Sequence, residues 1–150
     1  MEHDGFVEAQ PTFGAILLRY WIPVVAYAGL IFYLSAQTRP SPAAMWLLIQ
    51  LGDKPLHAIE YGILGILCYR AFRYAAGARA ARSALLLAVV ASTVYGVTDE
   101  IHQAFVPPRV PDGWDLLADS IGATVTASVW HWLPYSDRAP GRASTAGSSE

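Results

Sequence analysis

Four apolar runs, each near the roughly 20 residues a helix needs to cross a bilayer, constrain this 150-residue chain more than any other feature. The first, 14–34, reads GAILLRYWIPVVAYAGLIFYL and holds a single charge, Arg19. Its Pro23 is tolerable in lipid and should kink the helix. The second, 56–72, is interrupted by His57 and Glu60. The third, 83–106, is almost wholly apolar until it ends in GVTDEIHQAF. The fourth, 114–133, carries Asp115 and Asp119 early and finishes in an aromatic VWHWL. The loop after the first run contains AAMWLLIQLG, too short to cross and suited to a helix lying in the interface.

Composition agrees with this reading. Only 15% of residues are charged against 54% hydrophobic, whereas a soluble domain carries nearer 25% charge. Both ends of the chain are polar, which leaves the middle more apolar still. The expected organisation is a flexible tail over 1–13, one transmembrane domain over 14–134, and a disordered tail over 135–150. The fold class is therefore all-α: a polytopic bundle of four transmembrane helices with a short interfacial helix in the first loop. A soluble helical bundle with buried carboxylates is the competing fold, and the run lengths and low charge argue against it. The net charge of -2 gives no support to nucleic-acid binding. Cys68 is the one cysteine, so no disulfide framework exists, and its apolar setting reads as a small buried hydrophobe. The first run is long enough to span and follows an acidic segment, so it should not be cleaved as a signal peptide.

Orientation follows the arginines and lysines of short loops. The end of the second run and the loop after it hold Arg70, Arg73, Arg79 and Arg82, against Arg39 and Lys54 in the first loop and Arg109 in the third. The second loop is thus expected inside the cell, with both termini. Arg138 and Arg142 after the fourth run agree, and Arg19 can snorkel to the same side.

With that topology the ionisable residues sort by depth. Asp53, Lys54, His57, Glu60, Asp99, Glu100, His102, Gln103, Arg109, Asp115 and Asp119 all map to the outer half. His57 shares a helix face with Glu60 and with Tyr61, and Asp99 shares one with Gln103. Glu60 and Glu100 lie roughly 6–8 Å below the outer ends of their helices, so they could meet. An ionisable group within a span costs several kcal/mol unless paired or wetted. A polar pocket open to the outer face is the economical explanation. Its acids exceed its fixed cations, so they must hold protons, pair with Arg109 or Lys54, or bind a cation. Plainer roles compete for single residues. Asp53 and Asp115 suit helix N-termini; His131 suits an aromatic belt; Gly62, Gly65, Gly96 and Gly122 suit close helix packing. A purely structural buried network competes even for Glu60, Asp99 and Glu100.

Three blocks, DKPLHAIEYGILG (53–65), YGVTDEIHQAFVPPR (95–109) and DLLADSIGA (115–123), resemble the signature of VanZ-like membrane proteins, a family named for a teicoplanin-resistance protein. The pattern is Asp-Lys-x-x-His-x-x-x-Tyr, then Asp-Glu-x-x-Gln, then Pro-x-Arg, then Asp followed by Gly-Ala. Two departures stand out: Pro108 where a glycine is common, and Asp119 where an asparagine is frequent. The resemblance implies a multi-pass protein of the bacterial cytoplasmic membrane.

Three functions of different classes meet these residues. In the first, a lipid or cell-wall precursor headgroup sits among Asp53, Lys54, His57, Glu60, Tyr61, Asp99, Glu100, Gln103, Arg109, Asp115 and Asp119. Arg109 would take its phosphate or carboxylate, and the acids its hydroxyl or amine groups. In the second, His57, Glu60, Asp99 and Glu100 bind a divalent cation or act as general acid and base. No HExxH and no Ser or Cys nucleophile accompanies them. The third, a small transporter or proton-coupled channel, would need a homo-oligomer, and the nearly uncharged inner half argues against a through-path.

Overall fold

The computed structural model describes residues 12–39, 41–107 and 109–133. The expected tails, except Thr12 and Phe13, lie outside the described residues, as do Pro108, Arg138 and Arg142. All elements among the described residues are helices. They are α1 (Phe13–Ser35), α2 (Pro42–Leu51), α3 (Asp53–Ala75), α4 (Gly77–Arg82), α5 (Ala84–Gln103) and α6 (Gly113–Trp132).

Local chemistry explains the boundaries. Thr12 caps α1 by accepting from the Ala15 amide at 3.3 Å, so the helix starts at Phe13 rather than 14. Ser41 caps α2, and Pro42 fills its first position. Gly52, at φ 83, turns the chain sharply between α2 and α3, in a conformation that costs glycine little. Pro23 lacks an N–H, and its ring crowds the carbonyl four residues back. The backbone answers with a π-helical turn over Leu17–Trp21.

Two of the four expected spans, Phe13–Ser35 and Ala84–Gln103, form helices long and apolar enough to cross a membrane. The other two fall short of that measure. Helix α3 has 23 residues and α6 has 20, but polar residues interrupt both: Asp53, Lys54, His57 and Glu60 in α3, and Asp115, Asp119, Ser120, Thr124 and Thr126 in α6.

Helices α3 and α6 form the main seam, with α5 packed on both, and α1 at the periphery. The seam is built from absent side chains. A Cβ on Gly122 would lie 2.0 Å from the Ala58 carbonyl oxygen, and one on Gly65 would lie 2.9 Å from Ala123. Each helix thus supplies a glycine against the other's backbone. Thr126 donates its hydroxyl to the Gly62 carbonyl at 2.7 Å across the seam. Below it, Tyr61, Leu64, Cys68, Tyr69, Ala84, Ala88 and Ala127 form a buried core.

The faces are inverted relative to a water-soluble bundle. Helix α5 buries Ala84, Ala88, Ser92, Gly96, Asp99 and Gln103. It exposes Leu86, Val90, Val94, Val97 and Ile101. Helix α6 buries Asp115, Asp119, Gly122, Ala123 and Ala127 while exposing Leu117, Ile121, Val125 and Val129. Small and polar residues face inward; large aliphatic residues face outward in continuous stripes.

Candidate functional site

The glycine seam fixes the register at which α3 meets α6, and Ala58 against Gly122 places the neighbouring His57 beside Asp119. His57 Nδ1 stands 3.0 Å from Asp119 Oδ1. An ionised carboxylate only accepts, so Nδ1 carries the proton in this bond. The ring's other nitrogen, Nε2, points at Asp53 Oδ1 (3.9 Å) and Asp115 Oδ2 (3.8 Å). One ligand atom from each of Asp53, His57 and Asp115 falls within 4.8 Å of the others, a spacing a metal ion could bridge.

Lys54 is the cation of this end. Its ammonium bonds Asp112 Oδ2 at 2.5 Å, Asp53 Oδ2 at 3.3 Å, and Asp115 Oδ1. Asp112 is the residue that reading the sequence missed. It precedes α6, and its Oδ1 accepts from the Trp114 amide at 2.9 Å. Its own amide donates to Glu100 Oε2 at 2.7 Å. Asp112 therefore joins α3, α5 and α6 at one point. The run Pro111-Asp112-Gly113 before an apolar helix is an N-cap signal and could have flagged it. The hydrogen bond from Lys54 and that from the Trp114 amide hold its carboxyl below the ordinary aspartate range. Asp112 and Asp115 in turn hold Lys54 above the ordinary lysine range.

Two cap assignments change. Gly52, not Asp53, is the cap residue of α3, and Asp53 sits in its first turn facing Lys54 and His57. Asp115 does not cap α6 but turns inward, 5% exposed, beneath Lys54. His131, read as part of an aromatic belt, hydrogen-bonds Tyr69 at 2.8 Å between α3 and α6. His102 stacks on Phe32 of α1 at 4.2 Å between ring centres.

The remaining predicted residues line the inner side of the cluster. Asp99 Oδ2 accepts from Gln103 Nε2 at 3.0 Å, both residues buried. Glu60 lies within electrostatic reach of His57, Asp99, Asp119 and Arg109, and of Tyr27 in α1. Glu100 lies within reach of His57, Asp115 and Asp119. Gly96 leaves room for Asp119 and Tyr61; a Cβ there would stand 3.1 Å from Asp119 Oδ2 and 3.4 Å from the Tyr61 ring. Six buried side-chain polar atoms have no hydrogen-bond partner among the described residues: Tyr61 OH, Ser92 Oγ, Asp99 Oδ1, Glu100 Oε1, His102 Nε2 and Asp119 Oδ2. Such atoms are rare because leaving one unsatisfied costs about 1–3 kcal/mol. The Arg109 guanidinium, expected to pair with the acids, forms no hydrogen bond or ion pair among the described residues. Lys54 takes that role instead, because it sits on the first turn of α3 directly across from Asp112 and Asp115.

Chemically, this end offers carboxylate acceptors, a histidine oriented by a carboxylate, and two cations of which one is engaged. A family model described as VanZ/LLP1 matches residues 8–134, which covers every residue of the cluster, and the chain belongs to that family. No curated protein and no solved structure matches the chain.

Proposed function

We propose that this VanZ/LLP1 family member is a four-span protein of the bacterial cytoplasmic membrane whose acidic end holds the headgroup of an envelope lipid or cell-wall precursor. The outward aliphatic stripes of α5 and α6 support the membrane placement, since water would penalise them and lipid would not. Helices α3 and α6 span with His57, Asp115 and Asp119 turned inward. The arginines of the loop around α4 face the cytoplasm, with both termini, so the acidic end faces outside.

One observation carries the ligand reading: the unpartnered Tyr61 OH, Asp99 Oδ1, Glu100 Oε1 and Asp119 Oδ2 lie on three helices that converge on one end. A hydroxyl- or amine-bearing headgroup supplies the donors those acceptors lack, and Arg109 is placed at the same end for its phosphate or carboxylate. Reduced sensitivity to a glycopeptide such as teicoplanin would follow where that headgroup belongs to a cell-wall precursor. The test is mass spectrometry of lipids retained by the purified full chain. Asp99→Asn and Glu100→Gln should lose the retained envelope lipid while remaining inserted; unchanged retention in both would sink this reading.

A second reading rests on Asp53, His57 and Asp115. Their ligand atoms converge, and Asp119 orients His57 through the opposite ring nitrogen, the arrangement that commonly supports a metal-bound histidine. A divalent cation there would polarise an oxygen of a bound headgroup, with Glu60 or Glu100 as acid or base. Stoichiometric metal in the purified protein, lost in His57→Asn, would favour this enzyme over simple binding.

A further inference from the structure

The opposite end of the bundle gathers charge of the other sign around an actual hollow. A concavity of about 550 Å³ opens where α3 ends, α5 begins and α6 ends, lined by Tyr69, Arg73, Arg82, Ser83, Leu85 and His131 among others. Arg73 and Arg82 have no carboxylate partner among the described residues. The nearest acid on the same helix, Glu60, lies 13 residues from Arg73 along α3, about 20 Å away at 1.5 Å per residue. Two guanidiniums therefore face one hollow without a counter-charge among the described residues.

The wall of that hollow adds to the same preference. Ser83 precedes α5 but gives no side-chain cap, so the first-turn amides of a 20-residue helix keep their donors at the concavity. Tyr69 and His131 place a bonded hydroxyl–imidazole pair on the other side. Leu85 and Leu86 line it too, and Leu86, 65% exposed, continues into the outward aliphatic stripe of α5. The hollow is thus cationic at the helix ends and apolar toward the helix shafts. This is the polarity sequence of a phospholipid, from headgroup to chain.

We infer that this concavity binds the phosphodiester of an anionic phospholipid, with Arg73 and Arg82 on the phosphate and the acyl chains along Leu85 and Leu86. The inference uses the membrane placement proposed above but not the ligand of the acidic end. Paired guanidiniums suit a phosphate because each donates two parallel hydrogen bonds, and a net negative lipid is favoured because no carboxylate among the described residues pairs with them.

The experiment titrates the full chain, in neutral detergent, with phosphatidylglycerol, phosphatidylcholine or inorganic phosphate, read by native mass spectrometry and thermal shift. Phosphatidylglycerol should bind and stabilise, phosphatidylcholine at least tenfold more weakly, a factor worth about 1.4 kcal/mol. Arg73→Gln and Arg82→Gln should each weaken phosphatidylglycerol binding by roughly tenfold. Arg79→Gln removes the same charge from α4 without lining the hollow, and should leave binding unchanged. Asp99→Asn should also leave it unchanged, which separates this site from the acidic end. Equal binding of the two lipids by the unaltered protein would overturn the inference, whatever the variants do. So would an equal loss in Arg79→Gln, and inorganic phosphate binding as tightly as phosphatidylglycerol would overturn the lipid assignment.

Discussion

The two ends of the bundle solve the placement of charge in opposite ways. At the acidic end, Asp99, Asp115 and Asp119 are buried and meet Gln103, Lys54 and His57 across or along helices. At the basic end, Arg73, Arg79 and Arg82 stay exposed, and Arg19 and Arg70 lie over the rings of Tyr20 and Trp130. The difference comes from reach. An arginine carries its charge on a long apolar stem and can set its head in water while its backbone sits deeper. An aspartate cannot, so a carboxylate at the same depth needs a partner brought to it. Arginines at a helix end are therefore compatible with simple orientation, whereas buried aspartates demand a built environment.

The widest way to break that contrast is accessibility. Cysteines placed at Val110 or Gly113, near the acidic end, should react with an impermeant thiol reagent added outside cells; one at Ala78 should not. Reversed labelling would exchange the two ends and remove the outward-facing site.

Next in size is the seam that holds the acidic end in register. Gly122→Ala sets a methyl 2.0 Å from a backbone oxygen and should cost about 3 kcal/mol or more. Gly29→Ala has nothing within 4 Å and should be neutral or gain up to about 1 kcal/mol from helix propensity. Thermal unfolding in detergent separates the two, and equal effects would mean α3 and α6 do not pack as described.

A smaller effect is expected from Lys54→Met, which leaves Asp115 buried without its cation. Breaking a fully buried pair costs about 3–5 kcal/mol, but the Lys54 side chain is 41% exposed, so about 1–2 kcal/mol is expected. Arg79→Met at the other end should change stability by less than about 0.5 kcal/mol.

The smallest effect is the pH dependence of the Lys54–Asp112 bond, whose members both precede the spans they border. Asp112 has a lowered folded pKa, so its contribution is complete above its ordinary value of 3.8 and is lost as pH falls through the folded value. Lys54 has a raised one, so its share is complete below 10.5 and is lost as pH rises through the folded value. Stability measured between pH 5 and 9 should be flat in this contribution and fall outside it; Asp112→Asn should remove the acid-side fall.

Much of this arrangement was legible in the residues because it depends on local spacing. The four long helices follow the apolar runs, the short α2 follows AAMWLLIQLG, and Asp99 meets Gln103 because four residues bring two side chains onto one helix face. What depended on tertiary register was not legible. The pairing of His57 with Asp119, 62 residues apart, is set by Gly122 fitting against Ala58, which no periodicity announces. Asp112 was passed over because it lies in a loop, while attention to apolar runs favours residues inside them. Lys54 rather than Arg109 engages the acids because the helix start aims it inward. The same polar residues that mark the site lower the apolar character of α3 and α6, so two of the four runs look less like spans than their length suggests.

Helix α1 buries only Ile31 and Ser35; it meets α5 through Tyr95 donating to the Ala28 carbonyl at 2.5 Å and Phe32 against His102, and α3 through Trp21 against Phe72 and Tyr20 against Tyr74. Its Tyr27 lies within electrostatic reach of Glu60. Rings and one hydroxyl hold this helix, whereas α3 and α6 meet backbone to backbone, so a shift of α1 would leave the glycine seam shut.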